Sequence, residues 1–106
     1  MARYLLQGKY SADGVKGLLK DGGSARRAAL EKLTKSLGGT MESCYFAFGD
    51  YDIVGIGDMP DNVSAAAFSL TVSATGLASV KTTVLMTPEE VDQAAKKSPT
   101  YQGPGR

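Results

Sequence analysis

A glycine-aspartate pair separates two apolar, β-prone runs near the middle of the chain, and it constrains the fold more than any other feature. Residues 44–47 (Cys-Tyr-Phe-Ala) precede it, and residues 53–56 (Ile-Val-Gly-Ile) follow it. Gly49 adopts positive φ freely and the Asp50 side chain bonds to its own backbone, so the pair favours a short turn. The sequence therefore predicts a β-hairpin with aromatic and acidic side chains gathered at its tip.

Length and charge indicate one domain without an obvious electrostatic partner. A chain of 106 residues is long enough for one hydrophobic core. Its 12 basic and 11 acidic residues nearly cancel, which argues against binding to nucleic acid through phosphate neutralisation and against attachment to an anionic membrane. No apolar run approaches the ~20 residues of a membrane-spanning helix, and the N-terminus lacks the regions of a signal peptide. We therefore expect a cytoplasmic protein.

The chain has no histidine and a single cysteine. Without histidine, His-ligated haem, Ser-His-Asp and Cys-His catalysis and the usual zinc sites are excluded. Cys44 lies in an apolar strand run and is predicted to be a buried small hydrophobic residue rather than a nucleophile. Asp50 and Asp52 offer hard oxygen ligands that would hold Mg²⁺ only weakly. We expect no metal and no cofactor.

Capping residues and hydrophobic periodicity divide the chain into four strands and four helices. The predicted strands are residues 3–10, 41–48, 51–58 and 77–86, and the predicted helices are residues 12–20, 25–37, 62–74 and 88–97. The expected N-cap residues are Ser11, Ser24, either Asp61 or Asn62, and Thr87. Residues 1–97 form one domain, and residues 98–106 are predicted to be a poorly ordered tail.

The order of these elements predicts an α+β fold. A βαββαβ sequence with a short C-terminal helix is typical of the ferredoxin-like arrangement, in which both long helices cover one face of a four-stranded antiparallel sheet. Right-handed crossovers place the first and third strands in the centre, giving the order 4-1-3-2.

Residues on each side of the hairpin share a face because side chains alternate along a strand. One face carries Phe46, Phe48, Tyr51 and Ile53, and the other carries Tyr45, Ala47, Asp52, Val54 and Ile56. Both faces are substantially apolar, although helices on one side can cover only one of them. The uncovered face predicts a homo-oligomer, at least a dimer, formed by sheet-to-sheet packing.

Several motifs in this order resemble the GYD-domain family over about residues 3–92. They are Tyr10, Gly14-Val15-Lys16, Arg26-Arg27, Leu37-Gly38-Gly39, residues 48–54, Pro60-Asp61, residues 73–76 and a Thr-rich last strand. Asp50 is inserted into the Gly-Tyr-Asp core, at a turn position that tolerates substitution. The resemblance implies a ferredoxin-like fold of the dimeric α/β-barrel type, but it implies no known activity. The hairpin is also similar to the effector-binding domain of leucine-responsive regulators, which dimerise through sheets and bind small molecules; no helix-turn-helix precedes it here.

Polar groups converge on the hairpin tip, which is therefore the candidate site. The tentative ligand-binding residues are Tyr45, Asp50, Tyr51 and Asp52. In one interpretation Asp52, together with Tyr45 and either Lys9 or Lys81, polarises a small ligand bound between the helices and the tip or at the subunit interface. In the other, Asp52 is only a hydrogen-bond acceptor that braces the hairpin.

Another candidate is the helix start at residues 22–27 (Gly-Gly-Ser-Ala-Arg-Arg). Helix N-termini favour anions, but the segment lacks the Gly-Lys-Ser/Thr ending of a Walker motif. It is therefore predicted to be a helix start with solvated arginines.

Two functions remain open. The first is a homo-oligomeric module that binds a small molecule or a partner. The alternative is a cofactor-free enzyme of the dimeric α/β-barrel type, an isomerase or a monooxygenase-like protein, with tyrosine and aspartate as acid and base. The enzyme requires a group of perturbed pKa in an enclosed pocket.

Overall fold

A computed structural model of the chain describes residues 1–106. In chain order the elements are β1 (Ala2–Tyr10), α1 (Ala12–Asp21), α2 (Gly23–Ser36), β2 (Thr40–Phe46), β3 (Ile53–Met59), α3 (Asn62–Ser73), β4 (Ala78–Leu85) and α4 (Pro88–Ala95). Residues 96–106 contain no further helix or strand. No helix combines the length and the apolar character that crossing a membrane requires.

The four strands form one antiparallel sheet in the order β2-β3-β1-β4, which is the predicted order 4-1-3-2 counted from the opposite edge. The central strand β1 pairs with β3 on one side and with β4 on the other, so that Leu5 lies opposite both Ile56 and Thr83. The predicted α+β class and four-stranded antiparallel sheet are confirmed.

The hydrophobic core lies between one face of the sheet and the helices. Its buried members include Tyr4 and Leu6 from β1, Met59 from β3 and Phe68 from α3. The Tyr4 hydroxyl donates a hydrogen bond of 2.6 Å to Asn62 Oδ1 at the start of α3, so the one polar group of this side chain is satisfied.

The two faces of the hairpin separate as the alternation predicts. Phe46 pairs with Ile53 on the helix side, and Tyr45 pairs with Val54 on the opposite side. Because no element of the protomer covers that opposite side, we call it the open face. It carries Leu5, Val54 and Ile56 at its centre.

A β-bulge at Glu42 keeps the apolar residues of β2 on the helix side. Met41 pairs with Gly57 and Cys44 pairs with Gly55, although three positions separate the two β2 residues along the strand. The extra residue restores the alternation after the bulge. Without it, Met41 and Cys44 would point to opposite faces.

The hairpin connection is longer than the predicted short turn. β2 ends at Phe46 rather than at residue 48, and β3 begins at Ile53 rather than at residue 51. Phe48 adopts a positive φ of 64°, which ends the extended backbone, and its ring stacks on that of Phe46. The Ala47 amide donates to the Asp52 carbonyl oxygen across the base of the loop. Residues 47–52 therefore form a closed loop.

One predicted helix start is wrong. Ser24 does not cap α2, which begins at Gly23 directly after Gly22. Gly22 has a φ of 85° and its amide donates to the Leu18 carbonyl oxygen, so one glycine ends α1 and redirects the chain into α2. The predicted caps Ser11, Asp61 and Thr87 are confirmed.

Candidate functional site

The carboxylate of Asp52 connects the hairpin loop to β1. Its side chain is only 7% exposed. Oδ2 accepts a hydrogen bond of 2.9 Å from the Tyr10 amide, and Oδ1 accepts one of 3.1 Å from Lys9 Nζ. The same Lys9 ammonium donates to the Gly49 carbonyl oxygen at 3.1 Å. One carboxylate and one ammonium therefore fasten the loop to the end of β1.

These contacts favour the charged form of Asp52. The hydrogen bond from the Tyr10 amide, and then the hydrogen bond and charge of Lys9, hold the pKa of Asp52 below its ordinary value despite partial desolvation. The carboxylate is ionised and already accepts hydrogen bonds at both oxygens. Its geometry therefore supports the bracing interpretation and makes it a weak general base.

The other predicted site residues are not brought together. Tyr45 is 72% exposed on the open face, Asp50 is exposed at the loop tip, and Tyr51 is half-buried beside it. Lys81 is exposed on β4, and the ion pair of Asp52 is made by Lys9 instead. Of the proposed partners of Asp52, the structure joins only Lys9 to it.

We expect Asp52→Asn to lower the melting temperature at neutral pH by several degrees, since the amide loses the ion pair with Lys9. Because folding lowers the pKa of Asp52, its contribution to stability is present above the ordinary aspartate pKa of about 3.9 and is lost as pH falls through the lower folded-state value. Melting curves from pH 7 down to pH 2 should therefore converge for wild type and variant at the acid end.

The control for this prediction is Asp50→Asn, because Asp50 lies in the same loop, is exposed and makes no hydrogen bond. It should leave the melting temperature at neutral pH unchanged. Equal losses in both variants would contradict the bracing role of Asp52.

A cavity of about 230 Å³ lies between the helix side of the sheet and helices α2 and α3. Its walls are mostly apolar and include Leu6, Ile53, Leu30 and Phe68. Gly8 and Gly55 form part of the floor, and a Cβ at either position would come within 3 Å of Ile53 Cγ2 or of the Ser43 carbonyl oxygen. The cavity is thus a gap in the core of the protomer.

The mouth of the cavity lies between α2 and α3. The lining residues Ala29, Thr71 and Thr75 are exposed to solvent. Residues of the cavity wall on this side therefore reach the protein surface.

Tyr10 and Cys44 bring polar groups to the cavity wall. Burial raises the pKa of the Tyr10 hydroxyl, and the nearby charge of Arg26 only partly offsets this effect. Burial likewise raises the pKa of the Cys44 thiol. Both groups keep their protons at neutral pH, so Cys44 has the character of an inert residue. It is half-buried rather than buried as its strand position predicts.

Arg26 is the charged group of the cavity wall, whereas the sequence predicted it to be a solvated arginine at a helix start. Its Nε atom is buried and has no hydrogen-bond partner. Arg27, by contrast, is exposed and its Nε donates to Glu31 at 2.8 Å. A signal was present: Arg26 lies four residues before Leu30, so it extends the apolar stripe of α2 toward the helix start.

Asp52 touches this cavity only through Tyr10. The carboxylate holds the Tyr10 amide, while the Tyr10 side chain lines the cavity. None of the four predicted ligand-binding residues lines it. The hairpin tip therefore supports the cavity wall from outside.

No group of three or more cysteine, aspartate or glutamate side chains is arranged to hold a metal ion. The candidate site is an apolar cavity with a guanidinium, a phenol and a thiol on its wall. Such a set of groups suits binding through apolar contact and hydrogen bonds.

Comparison with protein families gives one match. The family model described as the GYD domain matches residues 4–95. No curated protein and no solved structure is similar enough to the chain to count as a match.

Proposed function

We propose that this chain, which belongs to the GYD-domain family, is a small-molecule-binding module that works as a homodimer. The observation that carries the proposal is the apolar cavity of about 230 Å³ between the sheet and helices α2 and α3. Protein cores are normally packed with few voids larger than a water molecule, and apolar pockets with a few polar groups are typical binding sites. An open core of this size therefore suits a ligand.

The open face supports the homodimer. Leu5, Val54 and Ile56 form its apolar centre, on the two central strands. Ion pairs of Arg3 with Asp58 and Glu42 lie at one end of this face, at 3.4 and 3.3 Å.

An apolar centre with a polar margin is the usual composition of a protein interface. Two copies stacked by a two-fold axis bury the same patch on both sheets. The dimeric α/β-barrel that the family resemblance implies is formed by this kind of sheet-to-sheet packing.

The alternative, a cofactor-free enzyme, has weaker support. It needs a base in the pocket, and the expected base, Asp52, is ionised, hydrogen-bonded and outside the cavity wall. Tyr10 lines the cavity, but its raised pKa keeps it protonated and therefore makes it a hydrogen-bond donor rather than a base. Binding is the function that these groups support best.

The binding function is tested with benzyl alcohol, a neutral aromatic probe of suitable size. We expect it to raise the melting temperature of the wild type in a saturable way, because a ligand bound only by the folded state stabilises that state. Val72→Phe should abolish the shift, since Val72 lines the cavity and the larger ring fills it. Differential scanning fluorimetry across a probe titration measures both effects.

Val63→Phe is the matched control on the same helix. Val63 is 78% exposed and does not line the cavity, so this variant should keep the full shift. An equal shift in Val72→Phe, or none in the wild type, would count against the cavity as a binding site.

A further inference from the structure

We infer that the ligand of this cavity is a compact apolar monoanion, an aromatic or branched carboxylate, whose charged group binds at Arg26. The inference rests on the proposed binding function. It goes further by naming the chemical class of the ligand and the residue that selects it.

The first observation is the unpaired state of Arg26. Its Nε is buried without a hydrogen-bond partner, and none of the ion pairs of the protein involves it. A buried N–H group without an acceptor is costly, because it loses its hydrogen bond to water and gains none in the protein. An anion inside the cavity would supply the missing partner.

The second observation is the group beside it. The charge of Arg26 acts on the Tyr10 hydroxyl, so the two lie within electrostatic reach on the same wall. The Tyr10 amide is bound by Asp52, but its hydroxyl has no hydrogen-bond partner in the protein. A carboxylate has two oxygens and accepts from a guanidinium and a hydroxyl together.

The rest of the cavity wall determines the size and polarity of the uncharged part of the ligand. Thirteen of the 18 lining residues are hydrophobic, so everything beyond the charged group should be apolar. A cavity of about 150 Å³ holds benzene, with six heavy atoms. In proportion, 230 Å³ holds roughly nine heavy atoms, which is the size of benzoate.

The charge balance favours a monoanion over a phosphate ester. Arg26 is the only charged residue on the cavity wall. A dianion would keep one uncompensated charge in an apolar enclosure, whereas a carboxylate is neutralised by a single guanidinium.

The test compares benzoate with benzamide, which has the same shape and no charge, by isothermal titration calorimetry. We expect the wild type to bind benzoate about ten-fold to a hundred-fold more tightly, the range typical of a hydrogen bond to a charged group. Arg26→Met should remove this preference and also melt at a higher temperature without ligand, because it replaces the buried, unpartnered Nε–H of Arg26 by an apolar group. A merely structural arginine would not give both results.

Arg27→Met is the matched control, since Arg27 is exposed and paired with Glu31; it should retain the preference for benzoate. Tyr10→Phe is the second variant and should weaken the binding of benzoate more than the binding of benzamide. Equal affinity for benzoate and benzamide in the wild type, or an unchanged preference in Arg26→Met, would overturn the inference. In that case continued binding of benzyl alcohol would leave the proposed function standing, whereas loss of all three probes would remove both.

Discussion

Replacing Val54 by aspartate is expected to convert the proposed homodimer into folded monomers. Val54 lies on β3 at the centre of the open face, beside Gln7 of β1 and Tyr45 of β2. In a sheet-to-sheet dimer this position is covered by the second copy, so the new carboxylate would be buried without a partner. In the monomer it faces water and costs little.

The expected size of the effect follows from burying one unpaired charge per copy. At about 3 kcal/mol or more for each of the two copies, the dissociation constant should rise at least about ten-thousand-fold. Size-exclusion chromatography with light scattering at micromolar concentration should show a dimer for the wild type and a monomer for Val54→Asp. Circular dichroism should show that the variant keeps its secondary structure.

Two further aspartate variants separate dissociation from unfolding. Val63→Asp places the same charge on the exposed start of α3 and should leave the dimer intact. Phe46→Asp changes the helix side of β2, where the Phe46 ring lies against Gly23 of α2, and should unfold the protomer. A monomeric wild type, or a dimeric Val54→Asp, would contradict the proposed assembly.

The faces of the hairpin were predictable because they depend on alternation alone. The connection is a closed loop of residues 47–52 rather than a short turn, yet Phe46 still pairs with Ile53 and Tyr45 with Val54. Side chains on a strand alternate whatever the loop conformation is, so an error in the turn did not change the faces of the strand residues. The faces predicted for residues 47, 48, 51 and 52 do not apply, because these residues lie in the loop. The alternation could not predict which face lies against the helices, because that depends on the packing of elements that are distant in sequence.

The strand order was predictable because few topologies satisfy short, right-handed connections. The bulge at Glu42 was not predictable, because it depends on the pairing of β2 with β3. Met41 pairs with Gly57 and Cys44 pairs with Gly55, so both β2 residues lie on the helix side. The cavity was equally unpredictable from the sequence. It is a volume left between residues of six elements, and no local sequence pattern predicts such a gap.

The site residues show the same limit. Asp52 was singled out as a polar group near aromatic residues, but its role depends on the Tyr10 amide, which lies on β1 and far away in sequence. Arg26 was predicted to be solvated because charged residues at a helix start usually are. Its position in line with Leu30 was the sequence signal that this arginine faces inward.

Gly14→Ala is the second substitution for which we expect a large effect on stability. It changes the packing beside Tyr10, which lies on the cavity wall. A Cβ at position 14 would overlap the Leu77 carbonyl oxygen and come within 3.2 Å of the Tyr10 Cβ. That carbonyl cannot simply move away, because it accepts hydrogen bonds from the Ser11 amide at 2.9 Å and the Ser11 hydroxyl at 3.3 Å. The close approach of α1 to Leu77 therefore requires glycine.

We expect Gly14→Ala to lose about 2–3 kcal/mol of unfolding free energy, the upper range for over-packing. Gly17→Ala is the control in the same helix: nothing lies within 4 Å of its added Cβ, and alanine is favoured over glycine in a helix interior by about 1 kcal/mol. Urea denaturation should thus move the two midpoints in opposite directions. Because Tyr10 and Leu77 both line the cavity, Gly14→Ala should also weaken benzyl alcohol binding, whereas Gly17→Ala should not. A stable Gly14→Ala variant with normal binding would mean that α1 can shift away from Leu77 without cost.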